Sequence, residues 1–169
     1  MKIQYQFGDL FGKANIIIHG CNAQGKMASG FAKTLREKHP IAYQAYMEEY
    51  VNHSLKVGNV VWARDREVLI GNAITQTYYG RNSNILYANY LGIRKAFQEV
   101  NKTTKTMGGK PMVSMPMIGA GFANGDWQII SDIIVQESYN FTPVVYVLDE
   151  DIYRKLLKQQ EENEQPKES

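Results

Sequence analysis

Short apolar runs of strand length alternate along this chain with segments of helical period, and that alternation leaves few folds open. The runs KIQYQF (2–7), ANIIIH (14–19), KPMVSMPM (110–117) and PVVYVL (143–148) predict single strands. VGNVVWA (57–63) and VLIGNAITQ (68–76), parted by the charged RDRE, predict a hairpin. Helical spacing joins Ala28, Phe31, Ala32 and Leu35; Tyr43, Met47, Tyr50 and Val51; Leu86, Ile93, Ala96, Phe97 and Val100; and Trp127, Ile130 and Ile134. A last helix is expected from Asp149 as N-cap, with Ile152 and Leu156 turned inward, and TTKTMGGK (103–110) reads as a surface loop. Strands and helices in this alternation predict an α/β fold: a central sheet with helices on both faces, binding ligands in loops at the carboxyl ends of its strands.

Two glycine-rich loops follow apolar strands directly. The first lies in IIIHGCNAQGKMASGFAK (16–33), the second in Ile118–Gly119–Ala120–Gly121–Phe122–Ala123–Asn124–Gly125–Asp126–Trp127. Gly20 to Lys26 matches the G-x-x-x-x-G-K spacing of a nucleotide-binding P-loop, whose next residue should be a Ser or Thr that holds magnesium. Met27 stands there and cannot do so. Gly30 also falls four residues after Lys26, where a P-loop helix should already run and a glycine weakens it by roughly 1 kcal/mol. VVYVLDE resembles an ATPase strand ending in a metal-holding Asp, but without that hydroxyl Asp149 reads better as a helix cap. Two loops that leave backbone N–H groups sterically open point instead to a diphosphate gripped from both sides, with the dipole of a helix starting near Ala28 adding to the same anion.

With 169 residues the chain has the length of one domain, expected over 1–157, and the polar end KQQEENEQPKES (158–169) is expected to be disordered. Net charge is +2; the end segment holds two lysines against four glutamates, so the rest carries about +4. No run of Lys and Arg interleaves with aromatics, so a nucleic-acid partner is not expected. No apolar run approaches the roughly 20 residues of a membrane span. MKIQYQFGDLFGK lacks the apolar stretch of a secretory signal and Cys21 has no partner cysteine, so the expected compartment is the cytoplasm. No cluster of His, Cys or carboxylates suggests a metal site, and no cofactor is expected.

GDL (8–10), HGCNAQGKMASGFAKTLREKHPIAYQAY and PMIGAGFANGDW together resemble the macrodomain, an ADP-ribose-binding three-layer α/β/α fold with a central mixed sheet. The resemblance spans residues 2–157 and is greatest to the branch containing ADP-ribose-1''-phosphate phosphatases, many of them small proteins of phages and microbes; a phage-encoded chain would work in its host's cytoplasm. It implies that Asp9, with Leu10 beside it, reads the adenine amino group and that Asn22 meets the distal ribose, where an amide can both donate and accept. It further implies substrate contacts from Gly25, Lys26, Met27, Ser29 and Gly30 in the first loop, and from Pro116, Ile118, Gly119, Ala120, Gly121 and Phe122 in the second. The phosphatase branch matches a His and an Asp at His19 and Asp126. His19 would exchange a proton near neutral pH and Asp126 would orient or activate water; an ordinary helix cap is the other reading of Asp126.

The implied reaction is metal-independent release of phosphate from ADP-ribose-1''-phosphate by a monomer acting on a small molecule. A non-catalytic ADP-ribose reader, or a hydrolase removing ADP-ribose from protein or nucleic acid, is the alternative. A second macrodomain branch releases ADP-ribose from glutamate through a covalent Lys and a second-loop Asp. Here Ala123 stands where that acid is expected, and TYYGRNSN offers Arg81, which stays protonated and cannot form the adduct.

Overall fold

A computed structural model describes residues 2–166. The most apolar run of the chain becomes a central strand, as continuous Ile-rich sequence does when both faces of a sheet are covered. The elements run β1 (Gln4–Phe7), β2 (Ile16–Asn22), α1 (Gly30–Lys38), α2 (Pro40–Val51), β3 (Val60–Asp65), β4 (Val68–Gln76), α3 (Tyr90–Lys105), β5 (Met112–Met115), α4 (Trp127–Glu137), β6 (Thr142–Val147) and α5 (Glu150–Glu164). One six-stranded sheet has the order β1-β6-β5-β2-β4-β3, parallel throughout except for the antiparallel edge strand β3.

Alternation along β2 sends side chains to two different layers. Ile16 and Ile18 join the larger core under Phe97 and Val100 of α3, Ile130 and Ile134 of α4 and Leu156 of α5. Ile17 and Cys21 face the other way, with Ile70 and Ile74 of β4, onto Leu35 of α1 and Ala42 and Tyr46 of α2. The result is the expected three-layer α/β/α sandwich around a mixed sheet. Among the described residues, no helix is long and apolar enough to cross a membrane.

Local chemistry explains most boundaries. Pro40 opens α2, where its missing N–H costs nothing. Asn89, Asp126 and Asp149 cap α3, α4 and α5 by accepting from Gly92 N, Gln128 N and Ile152 N.

Several expectations are corrected. β2 continues to Asn22, so Gly20 lies inside a strand and not in a phosphate loop, and α1 begins at Gly30, not Ala28. Leu86 sits exposed in the segment before α3, and α3 itself takes in Thr103 to Lys105 of the expected surface loop, burying Thr104 with its hydroxyl on the Val100 carbonyl. Ile152 is exposed, and Tyr153 packs on the core in its place, in helical register with Leu156 and Leu157. The disorder expected from residue 158 does not hold through Glu164. There α5 lies back along β1, with Gln160 Nε2 donating to the Ile3 carbonyl at 2.8 Å and Lys2 paired with Glu164 at 2.6 Å. The part of that expectation covering 167–169 lies outside the described residues.

Candidate functional site

The carboxyl ends of β2, β4 and β5 open into a cleft of about 880 Å³. The first loop leaves β2 at Asn22, and its shape is held from within. Asn22 Oδ1 accepts from the N–H groups of Gln24 (3.0 Å) and Lys26 (3.2 Å), while Nδ2 donates to the Lys26 carbonyl at 2.8 Å. The hydroxyl of buried Tyr46 donates to the Asn22 carbonyl at 2.6 Å. Gly25 has φ +76° and lies against the Tyr50 ring, which a Cβ would meet at 2.8 Å. Ser29 stands at the N-cap of α1 without capping it, so its hydroxyl is free at the cleft wall.

The second loop closes on itself through Gly125 N donating to the Gly119 carbonyl at 2.7 Å. Among the described residues, the N–H groups of Gly119, Gly121 and Phe122 have no acceptor, nor have those of Ala28, Ser29 and Gly30 across the cleft. Two sets of unclaimed donors, one at a helix N-terminus, thus belong to residues that line the cleft, and donors of this kind suit an anion.

A third wall comes from the segment after β4, where Tyr79, Gly80 and Arg81 line the cleft beside Thr75 and Gln76. Sequence reasoning met Arg81 only as the residue standing in the covalent-lysine region of another branch and did not count this segment as part of the site, because it has no glycine-rich signature. Its place is set by contacts to both other loops. Tyr79 N donates to Gln24 Oε1 at 3.0 Å, and Asn124 Nδ2 donates to the carbonyls of Asn82 (2.9 Å) and Ile85 (2.7 Å).

Among the described residues, Lys26 and Arg81 are the only ones of the lining with a fixed charge, and no carboxylate lines the cleft. His19 lies at its floor, almost wholly buried. Its Nε2 is 2.6 Å from Asn72 Oδ1, and Asn72 Nδ2 donates to the carbonyls of Ala42 and Val61, both at 3.1 Å. Those two carbonyls fix the amide orientation, so Oδ1 must accept, Nε2 carries the ring proton and Nδ1 is left as the lone pair. Burial pushes His19 down to about 4, the Asn72 bond opposing that only in part, so the ring is neutral across the physiological range rather than exchanging protons near neutrality. Burial also raises the neighbouring Cys21 thiol, which stays protonated.

A consequence for stability follows. Between pH 6.5 and about 4 the unfolded chain protonates this histidine and the folded one does not, so stability falls as pH falls through that window. The loss should approach about 3 kcal/mol near pH 4. Thermal unfolding followed from pH 7 to pH 4 should show a shallower decline in His19→Gln than in the wild type; parallel curves would contradict the assignment.

The structure brings His19, Asn22, Lys26, Ser29, Gly30, Pro116, Ile118, Gly119, Gly121 and Phe122 together around the cleft. Asn22 is largely committed to its own loop, keeping one amide N–H for a ligand. Leu10 and Met27 are core residues, Gly25 is buried beneath Tyr50, and Ala120 is not part of the lining. Asp9 is exposed at the end of β1, outside the lining, its Oδ1 accepting from Phe11 N. Asp126 is likewise outside the cleft, where Oδ1 caps α4 at 2.9 Å and its N–H donates to the Tyr90 hydroxyl.

The fold is that of a macrodomain: the structure matches the macrodomain of Mycobacterium tuberculosis DarG with a TM-score of 0.73 at 17% identity, covering 87% of this chain and 98% of that one. In sequence, the chain is 28% identical over 156 residues to an ADP-ribose 1''-phosphate phosphatase of Candida albicans, covering 86% of this chain and 99% of the relative. It is also 28% identical over 157 residues to an uncharacterized 17.5 kDa protein of Enterobacteria phage T4, covering 88% and 97%. No protein-family model matches the chain.

Proposed function

We propose that this protein binds ADP-ribose derivatives in the cleft and hydrolyses ADP-ribose-1''-phosphate to ADP-ribose and phosphate, without a bound metal. The observation that carries the reading is a cleft whose fixed charges are all positive and whose two loops offer unclaimed N–H groups from opposite sides. Such a lining suits a ligand with several phosphates, and the name of the Candida albicans relative supplies the substrate.

Phosphoryl transfer depends chiefly on positioning and on neutralising the equatorial oxygens, and here N–H groups and two cations can supply both. Water attacks phosphorus, the bond between phosphorus and the anomeric oxygen breaks, and the proton that water loses ends on that oxygen as the sugar hydroxyl; an anomeric oxygen is a better leaving group than an ordinary alkoxide, which lowers the need for a strong general acid. Neutral His19 serves as a lone-pair acceptor at the cleft floor. Asp126 acts at one remove, fixing the end of the second loop through the α4 cap.

The test is phosphate release from ADP-ribose-1''-phosphate in excess EDTA, with calorimetry of ADP-ribose and ATP on the same preparation. Turnover and ADP-ribose affinity should be unchanged by the chelator, and ATP should bind far more weakly than ADP-ribose. Magnesium-dependent ATP binding as tight as that of ADP-ribose would sink the reading. A second reading, a binder without turnover, is favoured by one observation: among the described residues, no carboxylate lines the cleft to activate water. ADP-ribose binding with no phosphate released would support it.

A further inference from the structure

We propose that Arg81 selects ligands that carry a phosphate on the distal ribose, accepting that phosphate on its guanidinium fork. This rests on the reading that the cleft holds ADP-ribose, with adenine at the Asp9 end. In the sheet order β1-β6-β5-β2-β4-β3, Asp9 follows β1 and Arg81 follows β4, four strand spacings away. At about 4.8 Å per spacing that is roughly 19 Å along one edge of the sheet. Asp9 itself stands outside the lining, but a ligand with its adenine on that side of the cleft and its diphosphate between the two glycine loops brings its distal ribose to the Arg81 wall.

Arg81 is free for such a role. Its guanidinium carbon lies over the Phe122 ring, 4.8 Å from the centroid and within cation–π range. Among the described residues, no carboxylate pairs with it and no acceptor takes its N–H groups. Its backbone is held meanwhile. Gly80 lies so close under the Tyr87 ring that a Cβ would meet the hydroxyl at 2.2 Å, and the Gln24 and Asn124 bonds tie the segment at two further points. A cation held against an aromatic ring and lacking an acidic partner is available to a phosphate, which an arginine can grip with two parallel N–H bonds where a lysine offers a point charge. Lys26, on the opposite loop, lies nearer the diphosphate by its position after β2.

The experiment compares wild type, Arg81→Gln and Arg81→Lys for calorimetric affinity toward ADP-ribose and toward ADP-ribose-1''-phosphate, and for kcat/KM of phosphate release. Arg81→Gln should lower affinity for the 1''-phosphate, and kcat/KM where turnover occurs, about 30-fold, while ADP-ribose affinity falls by less than about threefold. Arg81→Lys should recover only part of the loss. Equal losses toward both ligands would make Arg81 a general anchor and overturn the proposal, as would a 1''-phosphate affinity unchanged in Arg81→Gln. A wild type that binds neither ligand would instead refute the underlying ADP-ribose reading. A wild type that binds both without turnover leaves the affinity ratio to decide the role of Arg81.

Discussion

Asn72→Ala should lower the stability of this protein by about 3–5 kcal/mol, the cost of leaving several buried polar groups unpaired at once. Asn72 is fully buried on β4 and its side chain serves three partners: it accepts from His19 Nε2 and donates to the carbonyls of Ala42 on α2 and Val61 on β3. It therefore ties both neighbouring elements to the cleft floor. For a chain of this length, the loss corresponds to a fall in Tm of roughly 10 °C. Thermal unfolding measures it, and a fall within a degree or two would show that the three bonds are not made. Asn72→Asp gives a separate readout, because a carboxylate opposite the ring draws His19 toward its charged form. The titration of the His19 ring, followed by NMR, should then move up from about 4.

Gly125→Ala should weaken ADP-ribose binding by about 10- to 100-fold while leaving the fold in place. A Cβ there would lie 2.5 Å from the Gly119 carbonyl oxygen and 2.7 Å from Ile130 Cδ1. The Gly119 carbonyl is backbone and cannot turn aside, so the added methyl pushes apart the two ends of the loop that the Gly125–Gly119 bond closes. The Gly119 and Gly121 N–H groups would then lose their common aim. Gly121→Ala is the control for stability: a Cβ there meets nothing within 4 Å and its φ is ordinary, so Tm should stay near the wild-type value. Wild-type affinity in Gly125→Ala would mean that the second loop does not shape the site.

Gly125 belongs to the glycine-rich motif of the second loop, whereas no motif marks Asn72. Asn72 is one polar residue inside VLIGNAITQ, and nothing in that run says which neighbours its amide will meet. Met27 shows the opposite case. Its identity excluded the P-loop on chemical grounds, and in the fold it fills a small core with Cys21, Tyr46 and Ile74 that anchors the first loop from beneath. Asp126 was open to two readings from its position before WQII, and the capping bond to Gln128 N is the one the geometry displays.

Features that depend on near neighbours in the chain were legible in the residues alone. Period 2 and period 3.6 located the strands, the hairpin of β3 and β4 and the helices, and side chains that accept from N–H groups two or three residues on marked the starts of α4 and α5. Both glycine loops were legible for the same reason, since the freedom of a glycine is a property of one residue. The sheet order emerged only in the packed fold, which sets β2 between β4 and β5 and so brings the two loops to one cleft. It alone brought Arg81 to that cleft through bonds to Gln24 and Asn124, separated Asp126 from it, and drew the charged end of α5 back onto β1. The charge state of His19 belongs to the same class. A pKa depends on the dielectric and on partners across space, and Asn72, Ala42 and Val61 reach that histidine only once the sheet and α2 have packed.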